Sequence, residues 1–199
     1  MEEDSPKKPK STRAFIWMIR HGQAEGNTKH ILNGSGIDAP LTSKGKAQAK
    51  TMAKEWPWKP DAIVTSPLTR AVATAYTLAD RFGMKMEFAK LAQEQDYGDF
   101  TGKTLEELMA DEKTASCFHV DPGSGQIYTL RSPHGESWED LKKRAEHFFK
   151  WADSKYAGRR IVVVSHSDFI NCAYGVRFGL EDEYVWQRQD VPNCKAVRL

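Results

Sequence analysis

Two histidines and two arginines in this chain each stand just after a short apolar burst. Arg20-His21-Gly22 follows AFIWMI (14–19), Ser66-Pro67-Leu68-Thr69-Arg70 follows DAIVT (61–65), and His166 follows IVVVS (161–165). Guanidinium forks suit bidentate capture of phosphate oxygens, and a neutral imidazole among them can act as a nucleophile toward phosphorus. Zinc is the competing reading of two histidines. Two permanent positive charges nearby would repel a dication, and no carboxylate stands at ligand spacing from either histidine. No GxxxxGK[ST] segment occurs, so a nucleotide P-loop is excluded by that route. The residue types point to a phosphoryl group held without a metal.

Each residue also has a plainer reading. A histidine after a strand is more often a hydrogen-bonded structural residue, Arg20 could cap a loop carbonyl, Arg70 could lie on a solvated helix face, and Glu94 alone would be a surface acid. Taken singly, the plain reading wins. Taken together it needs four coincidences at equivalent strand ends, and the functional reading wins instead.

The elements that must position these residues follow from periodicity. Residues 14–19, 61–65 and 161–165 read as buried strands, with shorter ones over 84–88 and 195–199. A helix opened by Thr42 is expected over 43–56. Another is expected to start with Ser66 as N-cap and Pro67 at its first position, and to end at Gly83. Its apolar residues Leu68, Val72, Ala75, Tyr76, Ala79 and Phe82 form one stripe. Thr104 and Glu107 make a capping box for a short helix. The Pro/Gly/Ser-rich stretch 120–136 reads as the weakest-structured region, and strong helices follow from Ser137 and Ser167. Strands alternating with helices imply an α/β fold, a three-layer α/β/α arrangement with a mostly parallel central sheet. In such sheets ligands bind beyond the carboxyl ends of the strands, which is where the two histidines and two arginines fall.

Composition bounds the rest. The chain has 199 residues, enough for one domain with a sizeable core. Its 29 basic and 27 acidic residues leave a net charge of +2, which argues against nucleic-acid binding through bulk charge. No apolar run approaches a membrane span. Cys117, Cys172 and Cys194 are too few and too scattered for a disulfide framework, so free thiols in a reducing compartment are expected. Residues 1–13, mixed in charge and without a signal-peptide core, read as a disordered leader before a domain over 14–199. The expected location is cytoplasmic. Six Trp and nine Phe leave a homodimer open.

A run of motifs in order resembles the histidine phosphatase superfamily, the phosphoglycerate mutase-like proteins. Arg20-His21-Gly22-Gln23 with Asn27 resembles its RHG motif; Asp38-Ala39-Pro40-Leu41-Thr42 with Gly45 and Gln48-Ala49 resembles its D-x-PLT-x-x-G-x-x-QA stretch. Ser66-Pro67-Leu68-Thr69-Arg70-Ala71 with Thr74-Ala75 is similar to SPLxRAxxTA. Glu94 with Tyr97-Gly98 and Gly102 is similar to the acid-bearing segment, and Gly135-Glu136-Ser137 and Val164-Ser165-His166 complete the order. The resemblance implies that His21 is the nucleophile and becomes phosphohistidine. It implies that Arg20, Arg70 and His166 hold the phosphoryl oxygens, with Asn27, Asn33, Gly34 and Ser167 around them, and that Glu94 gives a proton to the leaving oxygen. It implies no metal. Three departures stand out: Ser167 where Gly usually follows the second histidine, Thr101 in place of a common Glu, and a chain that ends soon after Asn193-Cys194, pointing to a short or truncated tail.

The leading expectation is a metal-independent phosphomonoester hydrolase acting on a small phosphorylated metabolite. A phosphoglycerate mutase, requiring 2,3-bisphosphoglycerate as cofactor, would use the same His21 chemistry and return the phosphoryl group to product. Mutases of this superfamily typically carry a longer insertion with adjacent arginines to clasp the substrate carboxylate. Here 41 residues separate Glu94 from Glu136, and Arg131 is the sole arginine among them. A third reading, a non-catalytic interaction module, is opposed by the intact catalytic positions. Asp96 and Asp99 are next in line should Glu94 not be the acid.

Overall fold

The structure of the chain, a computed structural model, describes residues 11–28 and 31–199. Most of the expected leader, residues 1–10, lies outside the described residues. In chain order the elements are β1 (Phe15–Arg20), α1 (Glu25–Thr28), α2 (Ser43–Glu55), β2 (Ala62–Thr65), α3 (Thr69–Phe82) and β3 (Met86–Phe88). After two short 3-10 turns come α4 (Leu105–Met109), α5 (Glu112–Ala115) and the strand pair β4 (Phe118–Val120) and β5 (Ile127–Thr129). The chain closes with α6 (Trp138–Tyr156), β6 (Arg160–Ser165), α7 (Ser167–Phe178), α8 (Asp182–Trp186) and β7 (Ala196–Arg198).

Five strands make one sheet in the order β3-β2-β6-β1-β7, parallel except for β7, which runs antiparallel to β1. Its central strands are buried on both faces, and their side chains divide with period two. Ile16, Met18, Ile161 and Val163 pack with Leu141, Phe148 and Phe169 of α6 and α7. Ile19, Val162 and Val164 pack with Met52 of α2 and with Ala71, Ala75 and Leu78 of α3. Helices thus cover both faces, as the alternation of elements requires. Burying each such aliphatic side chain contributes roughly 1.5–3 kcal/mol. That makes the sheet centre the stiffest platform in the molecule. A third cluster, with Phe100 and Phe118 stacked 5.5 Å apart, lies under the α4–β5 segment.

Several local signals operate as their chemistry requires. Thr42 accepts from Gly45 N at 3.0 Å to open α2. Reciprocal capping boxes open α4 at Thr104 and α6 at Ser137. Gly83 ends α3 in the left-handed conformation, φ 61°.

Three expectations are corrected. Helix α3 begins at Thr69 with Leu68 as its N-cap, not at Ser66 and Pro67. Ser66 Oγ lies 2.8 Å from His166 Nε2 while accepting from Leu68 N at 3.3 Å, and the first turn of the helix itself is capped from outside. Asp38 accepts from Thr69 N at 2.7 Å and from Thr69 Oγ1 at 2.6 Å. The buried stripe of α3 is centred on Ala71, Ala75, Leu78 and Ala79, so Tyr76 is left 59% exposed. Residues 120–136 are ordered rather than weakly structured. Asp121 accepts from Ser124 N and Oγ in a tight turn, and Tyr128, 1% exposed, anchors β5 in the main core. Its turn residues organise a hairpin instead of loosening the chain.

Candidate active site

The carboxyl ends of β1, β2 and β6 converge as the sheet rule demands. His21 N donates to Ser165 O at 3.0 Å, tying the end of β1 to the end of β6. Asn193 Nδ2 donates to His21 O at 2.8 Å from the segment before β7. The chain then turns sharply. A Cβ on Gly22 would lie 2.5 Å from Gly45 O, so only glycine lets β1 exit under α2. Gly22 N donates to Thr74 Oγ1 at 3.0 Å, which fixes the turn against α3.

This turn sets the chemical state of His21. The ring is 3% exposed, with Nδ1 2.7 Å from Gly22 O, and a carbonyl can only accept. The proton therefore sits on Nδ1, and the Nε2 lone pair faces Arg70 Nε at 3.2 Å. Burial, then the Arg70 charge, pushes the His21 pKa down to about 3. The imidazole is neutral at ordinary pH, with its nucleophilic nitrogen turned to a guanidinium.

Arg70 is 2% exposed and is held at both terminal nitrogens, donating to Ile37 O at 2.9 Å and to Gly34 O at 2.7 Å. Gly34 takes φ 51°, a conformation natural to glycine, and so presents that carbonyl. Arg20 donates to Val191 O at 2.7 Å and lies 3.6 Å from Asp190, while its Nε has no partner among the described residues. His166 packs edge-on to His21 with ring centroids 5.0 Å apart. It is fully buried, and the His21 and Arg70 charges reinforce a desolvation that holds its pKa well below the usual value. With Nε2 on Ser66 Oγ, its Nδ1 has no partner. Two buried nitrogens thus lack a partner among the described residues: Arg20 Nε, a donor, and His166 Nδ1, a donor in the tautomer where Ser66 Oγ donates to Nε2.

Glu94 faces them from the loop after β3. It is 9% exposed, and its Oε1 accepts from Gln95 N at 3.1 Å and from Phe169 N at 3.2 Å. Burial raises its pKa although Arg70 opposes the shift. This carboxyl retains a proton above the usual carboxylate range.

Arg20, His21, Asn27, Asn33, Gly34, Arg70, Glu94 and Ser167 all line one cavity of about 720 Å³. Asn27 accepts from Ala24 N at 2.9 Å, and Ser167 Oγ donates to Asp190 at 3.0 Å. His166 is not one of the lining residues, but its ring lies 5.0 Å from that of His21, which is. Asp96 and Asp99 are engaged elsewhere, Asp96 accepting from Gly98 N and Asp99 pairing with His134. No group of three or more His, Cys, Asp or Glu poised to hold a metal ion occurs among the described residues.

Several contributors escaped the sequence reading. Ser66, expected as a cap, accepts from Leu68 N and also contacts His166. Arg144, on α6, grips both oxygens of Glu136 at 2.7 Å and donates to the carbonyls of Leu91, Gln93 and Glu94. The Gly135-Glu136 motif was the one sequence signal near that clamp. Tyr97, Asp168 and Asp190 also reach the cavity wall.

Comparison with known proteins places this geometry. Residues 16–199 match the profile of the family described as "Histidine phosphatase superfamily (branch 1)". A Hydrogenobacter thermophilus protein, provisionally named phosphoserine phosphatase 2, is 27% identical over 173 residues, spanning 86% of this chain and 82% of that one. A Photorhabdus laumondii protein, provisionally named phosphoglycerate mutase GpmB, is 27% identical over 187 residues, covering 92% and 83% of the two chains. The solved structure of a mycobacterial glucosyl-3-phosphoglycerate phosphatase superposes with a TM-score of 0.78 at 24% identity, over 94% of this chain and 89% of that one, a likeness of fold.

Proposed function

The chain belongs to the histidine phosphatase superfamily, branch 1, and from that premise we propose that it is a metal-independent phosphomonoester hydrolase acting through phosphohistidine at His21. The observation that carries the reading is the His21 ring, neutral and with Nε2 facing Arg70 at the cavity. Nε2 attacks phosphorus as the ester P–O bond breaks, and the departing alkoxide takes the Glu94 proton. Water then attacks the phosphohistidine with Glu94, now a carboxylate, accepting its proton. The P–N bond breaks and inorganic phosphate leaves.

Arg70 Nε passes from the His21 lone pair to a phosphoryl oxygen as the bond forms. Arg20 Nε and His166 Nδ1 find in the phosphoryl group the acceptors they otherwise want. Fixed donors aimed at developing charge are usually the dominant catalytic contribution. The two guanidinium groups supply the positive charge that a metal provides in other phosphatases.

Hydrolysis is favoured over isomerisation by the charge of the wall. Among the described residues, Arg20 and Arg70 are the only cations lining the cavity, and both are assigned to phosphate. None is left to clasp the carboxylate of a phosphoglycerate. We therefore read the substrate as a small phosphorylated metabolite, and 2,3-bisphosphoglycerate as unnecessary. The protein would work in a reducing, cytoplasmic setting, consistent with its three free cysteines. Incubation with p-nitrophenyl phosphate and with 3-phosphoglycerate, EDTA present, tests the reading. Phosphate release without isomerisation is expected; isomerisation of 3-phosphoglycerate would replace it with the mutase reading.

A further inference from the structure

Resting on the hydrolase reading, we infer that the substrate's alcohol portion carries an ammonium group, held between Asp168 and Asp190. Ser167-Asp168 follow His166 directly, and Asp168 lies in the first turn of α7 on the wall of the same cavity as His21. Its Oδ2 accepts from Tyr97 Oη at 2.5 Å, and none of the described cations pairs with it. Asp190 lines the same cavity from the segment between α8 and β7. It is fixed by Ser167 Oγ at 3.0 Å and by Gln126 Nε2 at 3.3 Å, with Arg20 3.6 Å away.

Two carboxyl groups therefore flank the phosphate pocket, with Glu94 as a third. Arg70 faces Glu94 and Arg20 lies near the aspartates, and both guanidinium groups are assigned to phosphate. Asn33, 8% exposed and lining the same cavity, adds a buried Oδ1 that has no donor among the described residues. A carboxylated substrate would bring like charge against this wall, and a neutral alcohol would leave Asp168 with no cation paired to it. A primary ammonium answers both, offering three donors and one positive charge. The wall lies just beyond the residues assigned to phosphate, so a short aminoalkyl ester suits it.

The titratable and charged groups around Asp168 are Glu94, Asp190, Tyr97, Tyr128, Cys172 and Arg20. Burial, then the Glu94 and Asp190 charges, lifts its pKa to about 8. A bound ammonium would displace that proton, so selectivity for the amine should grow as pH rises through about 8.

The test compares kcat/KM for 2-aminoethyl phosphate, 2-hydroxyethyl phosphate and phosphoglycolate at pH 6 and 8.5. The amine should lead the hydroxyl ester by about tenfold or more at the higher pH, as a charged hydrogen-bonded pair warrants. Phosphoglycolate should be the poorest. In Asp168→Asn/Asp190→Asn the amine-to-hydroxyl ratio should fall to about one. Calorimetry with the non-hydrolysable 2-aminoethylphosphonate and 2-hydroxyethylphosphonate reads the same preference without turnover. Hydrolysis of the hydroxyl ester with no amine preference, or a preference that survives the double variant, would overturn this inference and leave the hydrolase reading intact. Tighter binding of the aminophosphonate, with no ester hydrolysed, would uphold the ammonium site and overturn the hydrolase reading.

Discussion

Replacing Arg144 with alanine should damage both the fold and the acid step, although this side chain does not line the cavity. The guanidinium makes five hydrogen bonds, two to the Glu136 carboxylate and three to the carbonyls of Leu91, Gln93 and Glu94. It also stacks 5.0 Å over the Phe169 ring. Removing one member of a well-buried ion pair costs about 3–5 kcal/mol. Arg144 is 15% and Glu136 23% exposed, so water can partly rehydrate what is left, and we expect about 3 kcal/mol. For a chain of this length that lowers the melting temperature by roughly 6–12 °C. Arg144→Lys keeps the charge but not the fork, and should fall between. With the backbone of residues 91–94 loosened, Glu94 loses its aim. A general acid contributes about 10²–10⁴, so hydrolysis of an alkyl phosphate should drop by roughly tenfold or more. p-Nitrophenyl phosphate, whose leaving group needs little protonation, should lose much less. Thermal melts and kcat/KM for both esters, taken where all variants are folded, provide the assay. A wild-type melting temperature would refute the clamp. Equal losses on the two esters would refute its role in positioning the acid.

Three further outcomes follow from the same geometry. Because burial raises the Glu94 pKa and protonated Glu94 is the active form in phosphohistidine formation, kcat/KM for an alkyl ester should persist above the usual carboxylate range and then fall with rising pH; Glu94→Gln should abolish that limb and spare kcat/KM for the nitrophenyl ester, while slowing dephosphorylation with both. His21 binds its proton near pH 3 when folded and about 6.5 when unfolded, so the unfolded state takes up more protons between those values and stability falls as pH drops. At pH 5 that loss should be roughly 2 kcal/mol, and it should shrink in His21→Asn, as read by urea melts at pH 7 and 5. Turnover should survive EDTA, because Arg20 and Arg70 already supply fixed positive charge; loss restored by one particular dication would contradict this.

What the sequence revealed and what it hid divide along contact range. Arg20, His21 and His166 were legible because each adjoins a strand whose apolar run marks it, and a parallel sheet brings strand ends to one edge. Thr42, Thr104 and Ser137 were legible because capping is settled within four residues. The start of α3 was not. Ser66 accepts only from Leu68 N and shares its hydroxyl with His166, 100 positions away, while Asp38 caps the helix from 31 positions upstream. Arg144 reaches Glu94 O over 50 positions, a contact that neither periodicity nor spacing encodes. The order within 120–136 depends on Tyr128 burying into a core built by α6 and α7, so a Pro/Gly/Ser-rich stretch alone could not disclose it.

The central claim is that His21 carries the phosphoryl group. Rapid mixing with a phosphomonoester, denaturing quench at alkaline pH where phosphohistidine survives, and peptide mass spectrometry test it directly. The account predicts phosphate on His21, absent from a folded His21→Ala variant that also fails to turn over. Phosphate found on another residue, or continued hydrolysis by the folded His21→Ala variant, would contradict it.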